Sequence, residues 1–138
     1  MLVQIAIGTI AILVSIIVSC VLVATTHTLR YKFVISRIKN PIAELTVSLL
    51  GATFTMVIVI TFITWLWALL LIWLGAFSNI EPALYFSLIS FTTLGFGDLI
   101  LNEDWRLLAG FIAANGFIVF GLGTAYILET LMEYIRRP

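Results

Sequence analysis

Charge is what this sequence has least of. Only 10% of its 138 residues are Asp, Glu, Lys or Arg, where a soluble domain carries about 25%. A water-soluble globule with so little charge could not cover its surface, which argues against a cytosolic enzyme or a nucleic-acid binder. Seven Lys+Arg balance seven Asp+Glu, so no net field draws a polyanionic partner. The lone cysteine, Cys20, excludes an intrachain disulfide and any CxxC metal site, and the lone histidine, His27, excludes a His-based cluster within one chain. Gly121-Leu122-Gly123 has no third glycine at the dinucleotide spacing and lies in an apolar run, not after a strand. No Ser/His/Asp arrangement or set of paired carboxylates offers an active site, so no enzyme and no cofactor is expected. What fills the chain instead is apolar surface: 62% of residues are hydrophobic and the mean hydropathy is +1.20. Those values describe a small integral membrane protein.

The positions of the few charges divide the chain. A membrane-crossing helix needs about 20 mostly apolar residues. Residues 2–25 are almost continuously apolar, residues 45–80 carry no charge, and Leu107–Leu128 gives a third run of 22 residues. Between the last two, Pro82–Gly97 has only 16 residues and turns polar and glycine-rich towards its end. Three spans and one half-length segment that enters and turns back are expected. Residues 1–25 lack a basic n-region and exceed the usual signal-peptide core, so they read as a permanent helix. Arg30, Lys32, Arg37 and Lys39 lie between the first two spans, and Arg136 and Arg137 follow the third. The positive-inside rule puts both groups in the cytoplasm of a multi-pass plasma-membrane protein (the inner membrane of a bacterium), with the N-terminus outside and the C-terminus inside. Asn40-Pro41 with Glu44 marks a helix start, and Ser78-x-x-Glu81 has the form of a capping box for the short segment.

That segment, EPALYFSLISFTTLGFGD over residues 81–98, combines a helix of about 16 Å, half a bilayer, with Thr92-Thr93-Leu94-Gly95-Phe96-Gly97-Asp98. Irregular backbone at membrane depth survives only where protein buries it or where it lines a watery path. Alternating glycines let successive carbonyls face one side, and a row of carbonyls is what a dehydrated monovalent cation needs in place of its water shell. Here the chain resembles the pore module of potassium channels. Thr93-Leu94-Gly95-Phe96-Gly97-Asp98 is similar to that family's T-[VIL]-G-[YF]-G-D filter, Ala83-Leu84-Tyr85-Phe86-Ser87 to its pore helix, and Phe120–Ala125 to its inner helix, so the likeness covers roughly residues 43–135.

The resemblance implies an all-α membrane fold of three transmembrane helices plus a re-entrant pore helix and selectivity filter, in tetrameric potassium-channel pore architecture. Its parts would be an extra N-terminal transmembrane helix (1–27), a basic cytoplasmic linker (28–42) and the pore module (43–138). Within the module it implies an outer helix over 43–77, a pore helix over 81–92, the filter at 93–98 and an inner helix over 105–135. The carbonyls of Thr93, Leu94, Gly95 and Phe96, with the Thr93 hydroxyl, would form stacked K+ sites completed by Gly97, in a homotetramer. Asp98 would sit at the outer mouth, supported by Thr92 and by Tyr85. Ile89 stands where some members carry a carboxylate, which leaves Tyr85 as the expected partner of Asp98. Phe117, Phe120 and Thr124 would line the cavity.

Several residues leave two readings open. Gly116 falls at the family's hinge position, or lets helices pack closely. Asn115 either faces the cavity or bonds another helix. Glu129 belongs to an ordinary i,i+4 pattern with Glu133 and Arg137, or contributes to a cation-concentrating ring at the inner mouth. His27 is an interfacial anchor or a cytoplasmic pH sensor. Arg30, Lys32, Arg37 and Lys39 set the topology, or also meet anionic inner-leaflet lipids. Phe96 replaces the commoner tyrosine and loses a hydroxyl that could anchor the filter. A passive potassium-selective channel is the function expected, against a weakly selective cation channel or a non-conducting accessory subunit.

Overall fold

The structure is a computed structural model that describes residues 1–33, 38 and 40–136. Arg37, Lys39 and Arg137, named above as lipid or pairing residues, lie outside the described residues. Within these bounds the fold consists of four helices and no strand: α1 (Leu2–Phe33), α2 (Pro41–Trp73), α3 (Ile80–Phe91) and α4 (Leu107–Ile135). Three of them, α1, α2 and α4, are long and apolar enough to cross a membrane, whereas α3 has 12 residues.

Helix ends follow local chemistry in most places. Asn40 accepts from the backbone N–H groups of Ile42 and Ala43, and Pro41 fills the first helical position, where a missing N–H costs nothing. Residues 28–33, expected in the linker, continue α1, because Leu29 and Phe33 extend a run with no helix breaker. The outer helix ends at Trp73 rather than residue 77: Gly75, at φ +73°, adopts the left-handed geometry that stops a helix. The capping box expected at Ser78-x-x-Glu81 is not made. Asn79 is the N-cap of α3 and forms no side-chain cap bond, so the register is one residue later and Pro82 occupies the third helical position. The helix α4 starts at Leu107, not residue 105, after the turn at 103–106.

The helix directions can be read from the contacts. Gln4 meets Leu107, Ser15 meets Asn115 and Arg30 meets Tyr126, so α1 and α4 run parallel. Arg30 also reaches the Ser48 carbonyl near the start of α2, while Ile7 and Ile10 share a pocket wall with Leu70 and Trp73 near its end, so α2 is antiparallel to both. The chain from 74 to 106 therefore leaves and rejoins the bundle at the same end. The helix α3 packs against α2 and α4 and reaches Gly116, nine residues into α4, a depth of about 14 Å. It is a re-entrant half-helix. Between the long helices and α3 lies a core of Ile63, Trp67, Leu71, Phe91, Leu108, Ile112 and Val119, none of which is exposed.

Candidate pore loop

The loop that follows α3 is anchored through its amides. Thr92 caps the helix, its N–H donating to the Leu88 carbonyl and its hydroxyl to the same oxygen at 2.9 Å. Thr93 N–H then donates to the Ser90 carbonyl at 3.0 Å. Leu94 and Gly95 N–H both donate to Ile89, at 2.9 and 3.2 Å. The C-terminal carbonyls of a helix have no partners of their own, and here they take the donors of the next three residues. With those N–H groups turned back towards α3, the carbonyls of Thr93, Leu94, Gly95 and Phe96 accept no hydrogen bond among the described residues.

Backbone hand alternates along the same residues. Thr93, Gly95 and Gly97 have φ of +59°, +51° and +77°, while Leu94 and Phe96 between them stay at negative φ. Alternation between left- and right-handed geometry turns successive peptide planes the same way, so carbonyls collect on one side. Glycine takes the left-handed region without penalty. Thr93 does not: a β-branched residue there is an outlier that costs about 1–3 kcal/mol, the kind of strain that collects at functional sites.

At its far end the loop is held by Tyr85, whose hydroxyl donates to Asp98 Oδ2 at 2.7 Å, two turns back along α3. The bond to Asp98 holds the Tyr85 hydroxyl's pKa above its ordinary value of 10.0, with desolvation and the aspartate's charge adding to the effect. Ile89 is buried, 5% exposed, and stands behind the loop as an apolar wall that also offers its carbonyl. Every residue from Thr92 to Asp98 is exposed on the single chain, including the ring of Phe96 at 67%.

The inner-helix candidates lie on one face. Phe117 is 72% exposed, Phe120 and Thr124 are also exposed, and the Phe120 ring meets that of Phe91 at the end of α3 at a tilt of 60°, 5.5 Å between centroids. The adjoining face of α4 carries Ile112, Asn115, Gly116, Val119 and Gly123, all buried. Gly116 packs directly against the end of α3: a Cβ built there would overlap the Phe91 carbonyl oxygen. The helix is continuous through this position. Asn115 faces α1, with the Ser15 hydroxyl 2.7 Å from its Oδ1.

Near the end of α4, Glu129 is exposed and pairs with Arg136 at 3.4 Å. His27 stands 3.9 Å from Glu133. Arg30 turns between helices, donating to the Ser48 carbonyl and the Tyr126 hydroxyl at 2.9 and 3.1 Å, and Lys32 lies over the Phe33 ring. Cys20 is exposed. Among the described residues no group of His, Cys, Asp and Glu could hold a metal ion.

Sequence reasoning passed over the carbonyls of Ile89 and Ser90 as anchors of the loop, and it assigned no role to Gln4 or Ser15. The carbonyl anchors carry no side-chain signal. Gln4 and Ser15 do, as polar residues in an apolar run spaced to share a helix face with Gly8, Ala11 and Ser19.

No curated protein and no solved structure matches the chain significantly. A family profile does: that of the ion channels of two-transmembrane type, over residues 52–133, which takes in most of α2, all of α3, the loop and nearly all of α4. That stretch is more than half of the sequence, and the chain belongs to this ion-channel family, built on the potassium-channel pore module.

Proposed function

We propose that the chain is one subunit of a homotetrameric, passive, potassium-selective channel whose filter is Thr93-Leu94-Gly95-Phe96-Gly97. The observation that carries this reading is the alternating backbone hand of residues 93–97 with their first amides spent on α3. A backbone so arranged offers a row of unpartnered carbonyls. Four such rows about a common axis would replace the hydration shell of K+, and repulsion between ions in adjacent sites would keep exit fast. K+ is then the permeant ligand. The exposure of Leu94, Phe96 and Phe117 on the single chain supports assembly, since apolar groups beside a watery axis need neighbours to cover them.

In this reading Asp98 and Tyr85 hold the outer mouth and Thr92 fixes the filter base. Phe117, Phe120 and Thr124 line the cavity. The N-terminus is outside and the C-terminus cytoplasmic, so that Glu129 side chains ring the inner entrance. The basic segment at Lys32, Arg37 and Lys39 faces anionic headgroups of the inner leaflet, with Arg30 turned between helices. The weakly selective alternative has one observation in its favour, the missing hydroxyl at Phe96.

The test is cation flux from liposomes holding the purified protein. Barium-sensitive K+ flux that Na+ cannot support is expected. Equal fluxes would reduce the filter to a loose cation sieve. Silence in both salts, with tetramers demonstrated, would mean a pore that stays closed without a further stimulus, or an accessory subunit.

A further inference from the structure

The pore module is complete without α1, yet α1 is fastened to α4 at three depths. At the start of α4, Leu107 N–H donates to Gln4 Oε1 at 3.1 Å, which gives this helix the N-terminal cap that its own Arg106 does not provide. Near its end, Arg30 donates to Tyr126, and His27 faces Glu133. Midway, Ser15 meets Asn115, and both side chains are completely buried. Between these contacts α1 presents Gly8, whose missing side chain leaves room for the Phe111 ring of α4.

The central contact differs from the other two in what surrounds it. The Ser15 hydroxyl has one proton and two acceptors in reach, Asn115 Oδ1 at 2.7 Å and the Ile12 carbonyl at 2.8 Å. With the Asn115 amide turned over, the amide would donate to Ser15 Oγ while Ser15 donates to Ile12. In either arrangement Ser15 is the one hydrogen-bond partner of the Asn115 side chain among the described residues, since Nδ2 has none. Asn115 cannot rotate away to water, because none of it is exposed. The next residue is Gly116, which rests on the Phe91 carbonyl end of α3. One turn or less from Phe91, the carbonyls of Ile89 and Ser90 hold the amides of Thr93, Leu94 and Gly95.

We propose that Ser15 is a positioning residue for conduction: its bond to Asn115 sets the rotation of α4, and through the Gly116–Phe91 contact the seat of the candidate filter. The extra helix is then a strut of the pore. This inference rests on the channel reading above, but it can fail separately.

The test compares single-channel open-to-closed ratio and K+/Na+ permeability ratio in planar bilayers. The variants are Ser15→Ala, the double variant Ser15→Ala/Asn115→Leu, and, as a control, Ile17→Ala at an α1 residue that is 64% exposed. Removing both polar partners leaves no buried orphan, so the double variant is expected to fold about as well as wild type. A purely structural role predicts that it also gates as wild type. A positioning role predicts an open-to-closed ratio changed about fivefold or more in both Ser15 variants, the scale of an ordinary coupling between sites, with Ile17→Ala unchanged. Complete loss of current in an assembled Ser15 variant counts as the extreme of that shift. Should the double variant not assemble, Ser15→Cys, close in size but a weak donor, is read in its place. Wild-type ratios in the Ser15 variants would overturn the proposal while leaving the channel reading intact. A silent wild type would remove the channel reading, and the positioning role with it.

Discussion

Replacing Gly116 by alanine separates a packed joint from a free hinge. A Cβ at this position would lie 2.9 Å from the carbonyl carbon of Phe91 and 3.4 Å from its Cα, besides overlapping the carbonyl oxygen. Ordinary carbon–carbon contact is about 3.5–4.0 Å, so α4 must withdraw from α3 by roughly half an ångström or more. Elsewhere in a helix, Gly→Ala gains about 1 kcal/mol through backbone entropy. Overpacking costs about 1–3 kcal/mol. The upper end applies here, because the opposing atoms are backbone at the end of a helix and have no rotamer to change. The net loss is about 2 kcal/mol per protomer, a factor of about thirty in the folded-to-unfolded ratio.

Gly110 supplies the opposite sign. A Cβ there meets nothing within 4 Å, so Gly110→Ala should be neutral or gain up to about 1 kcal/mol. Reversible unfolding by SDS in mixed micelles, followed by tryptophan fluorescence, reads both variants against wild type. A Gly116→Ala protein as stable as wild type, with altered gating alone, would refute the packed joint and restore the hinge. Equal destabilisation by Gly110→Ala would show that the comparison of helix faces is wrong.

Three further substitutions test other joints. Tyr85→Phe removes the 2.7 Å bond to Asp98; stability should change by less than about 1 kcal/mol, while K+ current in bilayers decays several-fold faster, and an unchanged decay would refute a holding role. Asn40→Ala takes away the acceptor for two N–H groups at the start of α2 and should cost about 1 kcal/mol in the same SDS titration; no loss would mean that Pro41 alone sets the start. Glu129→Gln should lower single-channel conductance in about 10 mM salt and leave it unchanged near 1 M, since screening shortens the reach of an exposed charge from about 30 Å to about 3 Å; a deficit equal at both would exclude a cation-concentrating ring.

Spans and the re-entrant segment were legible because both are written in side chains: charge marks where helices leave the bilayer, and a charge-free run of 16 residues is too short to cross it. Asn40-Pro41 announced its helix for the same reason. The capping box failed because Ser78-x-x-Glu81 has the right letters, but the helix starts at Ile80, and a side-chain cap depends on register to the residue. The loop's glycines pointed to left-handed geometry at Gly95 and Gly97, and both have it. Thr93 could not be read this way, because a β-branched side chain argues against the left-handed region, and the backbone bonds from residues 93–95 to Ile89 and Ser90 that accompany it carry no side-chain signal.

The first helix shows what composition hides. Its long apolar run makes α1 look like a featureless lipid-facing span, yet Gln4, Gly8, Ala11, Ser15 and Ser19 are all buried, at spacings of three and four that keep one face. In lipid the hydrophobic effect does not hold one apolar helix to another. Association depends on small residues that let backbones approach and on polar groups that find partners. The informative residues in such a helix are the least hydrophobic ones, which an average over the span removes. Their face turns towards the helix that carries Asn115 and Gly116, so the extra segment meets the pore module at the same level as the end of α3. The Ser15 hydroxyl could be satisfied within α1 alone through the Ile12 carbonyl, as Ser19 is through that of Ser15; Asn115 has no such local partner, and a buried amide left unpaired at that depth costs about 1–3 kcal/mol.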